Sequence, residues 1–268
     1  MKKILAYYYR RFKHDLLSVA AKRGLVNADR NYQKFIILST PRTGSTLLQA
    51  YLNQHPGIFC QGEIYNTDHL KLHGKPQKIK REQQEDVIKF LYTYGFGLHF
   101  AKLKAVGFKL FYRHFSKQNR LWEHIAADTS IKIIHLNREN YLKTLVSHKI
   151  ARKTNQWHDF KQRTGQNKSV TISKEELLQK HHQLRNAYQN SEKMFADHPM
   201  LTVKYSELTQ KPDETMNAVF SFLCLKSHRI QPSGIVKQNP EPLKNLISNY
   251  DSLKEECSTD ENLNKLFF

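Results

Sequence analysis

The sequence predicts an α/β fold, a mainly parallel sheet flanked by helices on both faces, with helical insertions. Two observations predict it. Short apolar runs alternate with segments of helical period along the 268 residues, and one junction between them reads as strand, tight polar loop and helix. Size and composition agree: 31.6 kDa, 39 % hydrophobic and 25 % charged residues and a mean hydropathy of -0.66 fit one domain of ordinary polarity.

Residues 1–13 mix Lys, Arg and Tyr and hold neither an apolar leader core nor a small-residue cleavage site. They are expected to open an N-terminal basic helical extension over 1–33, ahead of a core over 34–257. Two readings of that extension stand: a helix packed on the domain edge, or an amphipathic helix resting on an anionic membrane. Residues 34–39 (KFIILS) read as a buried parallel strand, and Leu47, Leu48, Tyr51 and Leu52 recur at helical spacing until 55–57 (HPG) ends the helix. Residues 74–84 are basic and polar, a loop or helix start, and 85–98 read as a helix. Further strands are expected at 105–111, 131–136 and 200–204, and helices at 140–152 and 213–223, with Pro212 in the first turn of the latter; between them a long helix carries Leu177, His181, Leu184, Tyr188 and Phe195 on one face. Residues 153–170 read as a mobile surface segment, 226–242 as a loop over the sheet, and 243–257 as a final helix. No run is long and apolar enough to span a membrane.

Lys and Arg number 43 against 24 Asp and Glu, a net charge of +19 that attracts anionic partners. These charges are spread along the chain rather than gathered on a stripe with stacking aromatics, so no specific nucleic-acid partner is expected. Three widely spaced cysteines, Cys60, Cys224 and Cys257, form neither a zinc pattern nor a disulfide framework. They point to a reducing, cytoplasmic setting, peripheral to a membrane if the extension rests on one. No HExxH cluster suggests a metal and no GxSxG elbow a serine nucleophile.

Residues 39–48 (STPRTGSTLL) carry the most information. Gly44 permits a tight turn, the N–H groups of Thr43, Gly44, Ser45 and Thr46 converge on one anion, and Arg42 adds a fixed charge. The ATP/GTP signature GxxxxGK[ST] is absent, which argues against a metal-dependent NTPase. This loop resembles the 5′-phosphosulfate loop of PAPS-dependent sulfotransferases, especially the bacterial carbohydrate group that includes the trehalose and Nod-factor enzymes. The resemblance, spanning roughly 34–250, implies a P-loop-like fold, PAPS as co-substrate, PAP as product and no metal. It implies that Arg42, Thr43, Gly44, Ser45 and Thr46 hold the 5′-phosphate and sulfuryl group. Arg138, ending the strand at 131–136, and Ser147 resemble the family's 3′-phosphate pair, with Thr144 the alternative to Ser147. Residues 203–208 (VKYSEL) and 237–240 (KQNP) resemble a strand-end and a nucleotide-covering segment, bringing in Tyr205 and Lys237. Read without the family, these two are a core tyrosine and a solvated lysine.

The same resemblance implies the catalytic groups. Glu63, in 60–65 (CQGEIY), stands where glycan and tyrosine sulfotransferases keep a catalytic base; otherwise it is a loop carboxylate paired with a lysine, and His114 is the second candidate base. Lys109 interrupts an apolar strand, where an unpaired charge is costly. It resembles the strand lysine that touches the transferring group, flanking it together with Arg42; the alternative is a side chain snorkelling at a sheet edge. The acceptor implied is a carbohydrate or glycolipid hydroxyl, met by loops at 66–81 and 152–170. A small secondary metabolite, or a non-catalytic basic module binding nucleic acid or anionic lipid, are the competing readings.

Overall fold

Five of the chain's apolar runs pair into one parallel sheet in the computed structural model, which describes residues 2–66, 70, 73–117, 119–155 and 168–268, the side chains of 2–8, 11, 115–117 and 119 excepted. In chain order the elements begin with α1 (Lys2–Lys22), β1 (Ala28–Asp29), β2 (Gln33–Ser39), α2 (Ser45–Leu52) and β3 (Ile58–Cys60). Then come α3 (Pro76–Glu85), α4 (Val87–Phe90), β4 (His99–Phe100), β5 (Ala105–Phe111) and α5 (Asn119–Ala127). Next are β6 (Lys132–Asn137), α6 (Tyr141–Thr154), α7 (Lys174–Met194), β7 (Met200–Lys204) and α8 (Tyr205–Gln210). The last are α9 (Pro212–Phe222), α10 (Leu243–Leu246), α11 (Tyr250–Glu256) and α12 (Glu261–Asn264).

The sheet order is β3-β5-β2-β6-β7. Pairing is parallel throughout, with Ile37 opposite Lys109 on one side of β2 and Ile37 opposite Ile134 on the other. Alternation then sorts the strands' side chains onto two faces. Ile36, Leu38, Phe108, Leu110 and Ile133 pack on one face with Phe90, Trp122 and Phe195. Phe35, Ile37, Ile134 and Val203 pack on the other with Leu48, Leu52, Val219 and Phe220. Helices therefore cover both faces, as a parallel sheet with apolar runs on each side requires. A third core joins Leu142 and Ile150 of α6 to Leu177 and Leu184 of α7 and to Leu263, Leu266 and Phe267, so the packing continues past residue 257.

The structure departs from the sequence expectations at several places, among them α5 and the antiparallel β1–β4 pair, for which there was no expectation. For residues 74–84, expected as a loop or the start of a helix, the second alternative holds. Pro76 opens α3, which buries Ile79 alone and so shows no apolar period. The helix expected over 85–98 breaks at Asp86, whose carboxylate accepts from the N–H groups of Ile88 and Lys89 and starts α4; a π-turn, Leu91–Gly95, follows. The single helix expected over 243–257 is two, because Ile247 turns aside to bridge Val170. Edge strand β3 was not expected, being only three residues long. Most of the segment at 153–170 lies outside the described residues.

Candidate functional site

In a parallel sheet all carboxyl ends lie at one side, where ligands bind. Every strand of this sheet delivers a charged or aromatic candidate there: the 40–44 loop after β2, Glu63 after β3, Arg113 after β5, Arg138 after β6 and Tyr205 after β7. Lys109 lies inside β5.

The 40–44 loop turns through two left-handed residues, Arg42 at φ 72° and Gly44 at φ 92°. Gly44 is the N-cap of α2 and offers no side-chain cap, and the Leu47 N–H donates to its carbonyl at 2.9 Å. The buried Thr43 hydroxyl donates to the Thr40 carbonyl at 2.8 Å and braces the turn. Tyr205 lies against Gly44 so closely that a Cβ there would come 2.4 Å from its ring. The other side of the cluster is Arg138, whose guanidinium carbon is 4.7 Å from the Tyr205 ring centroid and whose Nη1 donates to the Arg42 carbonyl at 2.8 Å. Among the described residues no carboxylate pairs with Arg138.

Arg42 turns toward α6, where its Nε donates to Ser147 Oγ at 2.9 Å. Asn239 Nδ2 lies 3.5 Å from the same hydroxyl. The Thr144 hydroxyl instead donates to the Asn140 carbonyl of its own helix, so Ser147 is the one that faces the loop. Arg42, Ser147, Asn239, Lys168 and Ile150 line a small recess. Burial pulls the Arg42 and Arg138 guanidinium groups below their usual range, and Arg138 lowers Arg42 further; both remain cations. Lys237 is exposed and does not line the recess, but its charge adds to burial and precedes Arg138 in pulling Lys143 below the ammonium range. Burial, then Arg152, Lys180, Arg42 and Arg113, push His148 down to about 4. A strongly positive field thus surrounds the recess.

A second cluster surrounds Glu63, which is buried. Its Oε1 is 3.9 Å from Lys109 Nζ and its Oε2 accepts from Arg113 Nη2 at 3.0 Å. Lys109 Nζ also donates to the Thr46 hydroxyl at 3.4 Å, which links the carboxylate to the loop. Snorkelling at an edge does not describe Lys109: β5 is interior to the sheet and the residue is 2 % exposed. The backbone sets the distance, since Lys109 N–H donates to the Gly62 carbonyl at 3.1 Å. His114 accepts from the Phe111 N–H at 3.3 Å and stacks on the Phe111 ring, a structural engagement.

The Arg42 side chain, expected to flank the transferring group together with Lys109, hydrogen-bonds Ser147. Arg113, four residues beyond Lys109 at the strand end, and Lys168 were not singled out from the sequence, and Asn239 entered only within the 237–240 segment.

Residues 34–228 match the model of the family described as Sulfotransferase family. The chain belongs to the sulfotransferase family. This sulfotransferase is 27 % identical over 223 residues to nodulation protein H of Rhizobium tropici, covering 83 % of the chain and 88 % of that protein. It is 24 % identical over 225 residues to nodulation protein H of Rhizobium meliloti strain 1021, covering 83 % and 90 %. Its fold is similar to the crystal structure of a sulfotransferase from Alicyclobacillus acidocaldarius, with a TM-score of 0.50 at 12 % identity over 87 % of this chain and 95 % of that one. The sulfotransferase is thus a PAPS-dependent enzyme with a P-loop-like fold. No helix among its described residues is long and apolar enough to cross a membrane.

Gly44 supplies a direct test of the loop geometry. Gly44→Ala forces a side chain into a left-handed backbone at a cost of about 1–3 kcal/mol and displaces the Tyr205 ring. A lower melting temperature and weaker binding of adenosine 3′,5′-bisphosphate are expected; a variant matching the parent in both would contradict the packing of Tyr205 on the loop.

Proposed function

We propose that the enzyme transfers the sulfuryl group of PAPS to a carbohydrate or glycolipid hydroxyl, with Glu63 as general base. The observation that carries this reading is the chain Thr46–Lys109–Glu63, which sets a buried carboxylate and a buried cation beside the anion-holding loop. Glu63 accepts the acceptor's hydroxyl proton as the acceptor oxygen bonds to sulfur. The bond from sulfur to the bridging oxygen breaks, and the bisphosphate leaves with the electron pair. Lys109 stabilises the charge that builds on the sulfuryl and bridging oxygens. Backbone N–H groups at 43–46, with the Ser45 and Thr46 hydroxyls, hold the 5′-phosphate. Arg138, Ser147 and Arg42 hold the 3′-phosphate, Tyr205 backs the nucleotide site, and Lys237 adds long-range attraction.

The carbohydrate acceptor rests on the sequence resemblance and on relatives named for nodulation. Calorimetric titration with adenosine 3′,5′-bisphosphate, ADP and ATP, without added magnesium, tests the donor site. The bisphosphate is expected to bind tightest, and Arg138→Ala to abolish its preference over ADP. Equal affinity of the parent for bisphosphate and ADP would defeat the 3′-phosphate assignment. Labelled-sulfate transfer to oligosaccharides, phenols and a tyrosine peptide tests the acceptor, and transfer confined to the last two would overturn the carbohydrate class.

A further inference from the structure

We propose that α1 docks the protein on an anionic lipid bilayer, lying along its surface with Tyr9, Phe12 and Leu16 entering the headgroup layer. These three residues recur at i, i+3 and i+7, on one helix face, and are 66 %, 53 % and 55 % exposed. Leu25, just beyond the helix, is 71 % exposed. Four of the six large apolar side chains that are exposed among the described residues thus lie on or beside this one helix.

The opposite face does the packing. Ser18 and Ala21 are buried, His14 stacks on Phe59 with ring centroids 5.0 Å apart, and Lys22 lies 4.4 Å over the Tyr94 ring. A helix serving only to cover the domain edge would turn its apolar stripe inward and its polar face out. Here the helix is anchored by small and basic residues, and the apolar stripe points away from the domain.

Charge selects the occupant. Residues 2–23 carry seven Lys and Arg and a single acid, Asp15. A two-fold contact between copies would set this basic helix against an equally basic surface, where like charges repel. An anionic bilayer satisfies both properties together: its phosphates attract the cations, and its interface receives aromatic and aliphatic side chains to a depth of roughly 5–10 Å. The exposed Lys13 borders the stripe, and the partly buried Arg10 lies further round, toward the packed face.

Flotation of the intact protein with vesicles tests this. The parent is expected to float with phosphatidylcholine/phosphatidylglycerol vesicles and not with phosphatidylcholine alone, and to be released by high salt. Tyr9→Ser/Phe12→Ser/Leu16→Ser should retain the parent's melting temperature, because all three side chains are exposed, and should lose flotation. Arg10→Gln/Lys13→Gln should weaken vesicle affinity by about 25-fold, about fivefold for each charge removed. These residues lie outside the sulfuryl-transfer site, so turnover on a soluble acceptor is expected to be unchanged in both variants. Failure of the parent to float with anionic vesicles, or flotation of the triple variant as well as the parent, would overturn the proposal. So would a parent dimer that the triple variant converts to monomer without either floating, since the stripe would then bind a second copy.

Discussion

Replacing Glu63 with glutamine is expected to lower turnover by roughly 10²–10⁴-fold, the range that a positioned acid or base contributes, while affinity for the bisphosphate is retained. Glutamine keeps the volume and can still accept from Arg113, but it cannot take a proton. It also removes the carboxylate 3.9 Å from Lys109, a cation only 2 % exposed. Removing one member of a buried pair costs up to about 3–5 kcal/mol, so the melting temperature should fall as well. Titration with the bisphosphate separates the two effects, because a protein that binds the nucleotide normally is folded. Turnover equal to the parent's would remove Glu63 from the reaction.

The second large effect is expected at Lys109. Lys109→Met should reduce turnover by about 10²–10³-fold, the loss typical of deleting one donor aimed at developing charge. Its effect on stability should be smaller than that of Glu63→Gln. Methionine fills the lysine's stem volume inside the sheet, and Glu63 keeps its nearer partner, Arg113, at 3.0 Å. Single-turnover transfer and thermal melting, run on both variants, check this asymmetry. A Lys109→Met protein of full activity would reduce the lysine to a support for Glu63. One that melts below Glu63→Gln would contradict the pairing hierarchy.

Much of the frame was legible from the sequence because its elements are locally encoded. Residues 105–111 and 200–204 are short runs of strand-forming residues, and both form strands over those limits. Asn140 caps α6, and Ser173 with Glu176 forms a capping box on α7. Elements defined by distant contacts were not legible. The three residues of β3 are too few to show a period, and the break at Ile247 exists because Val170, far away in sequence, pairs with it. The site divides in the same way. The 39–48 loop carries its own signal, whereas the meeting of Glu63 with Lys109, 46 positions later, depends on β3 pairing with β5. The left-handed backbone at Arg42 is likewise not announced by its residue type.

The Tyr205 ring, wedged between Gly44 and Arg138, has a consequence for how the donor is received. A turn held by an aromatic wedge on one side and by an arginine–carbonyl bond on the other has little freedom left to lose when a ligand arrives. Preorganisation of this kind preserves affinity that a floppy cradle would forfeit in ordering itself. It also ties the 40–44 turn and Arg138 into one stiff body, so in the proposed donor site the spacing between the nucleotide's phosphates would be read by a rigid gauge.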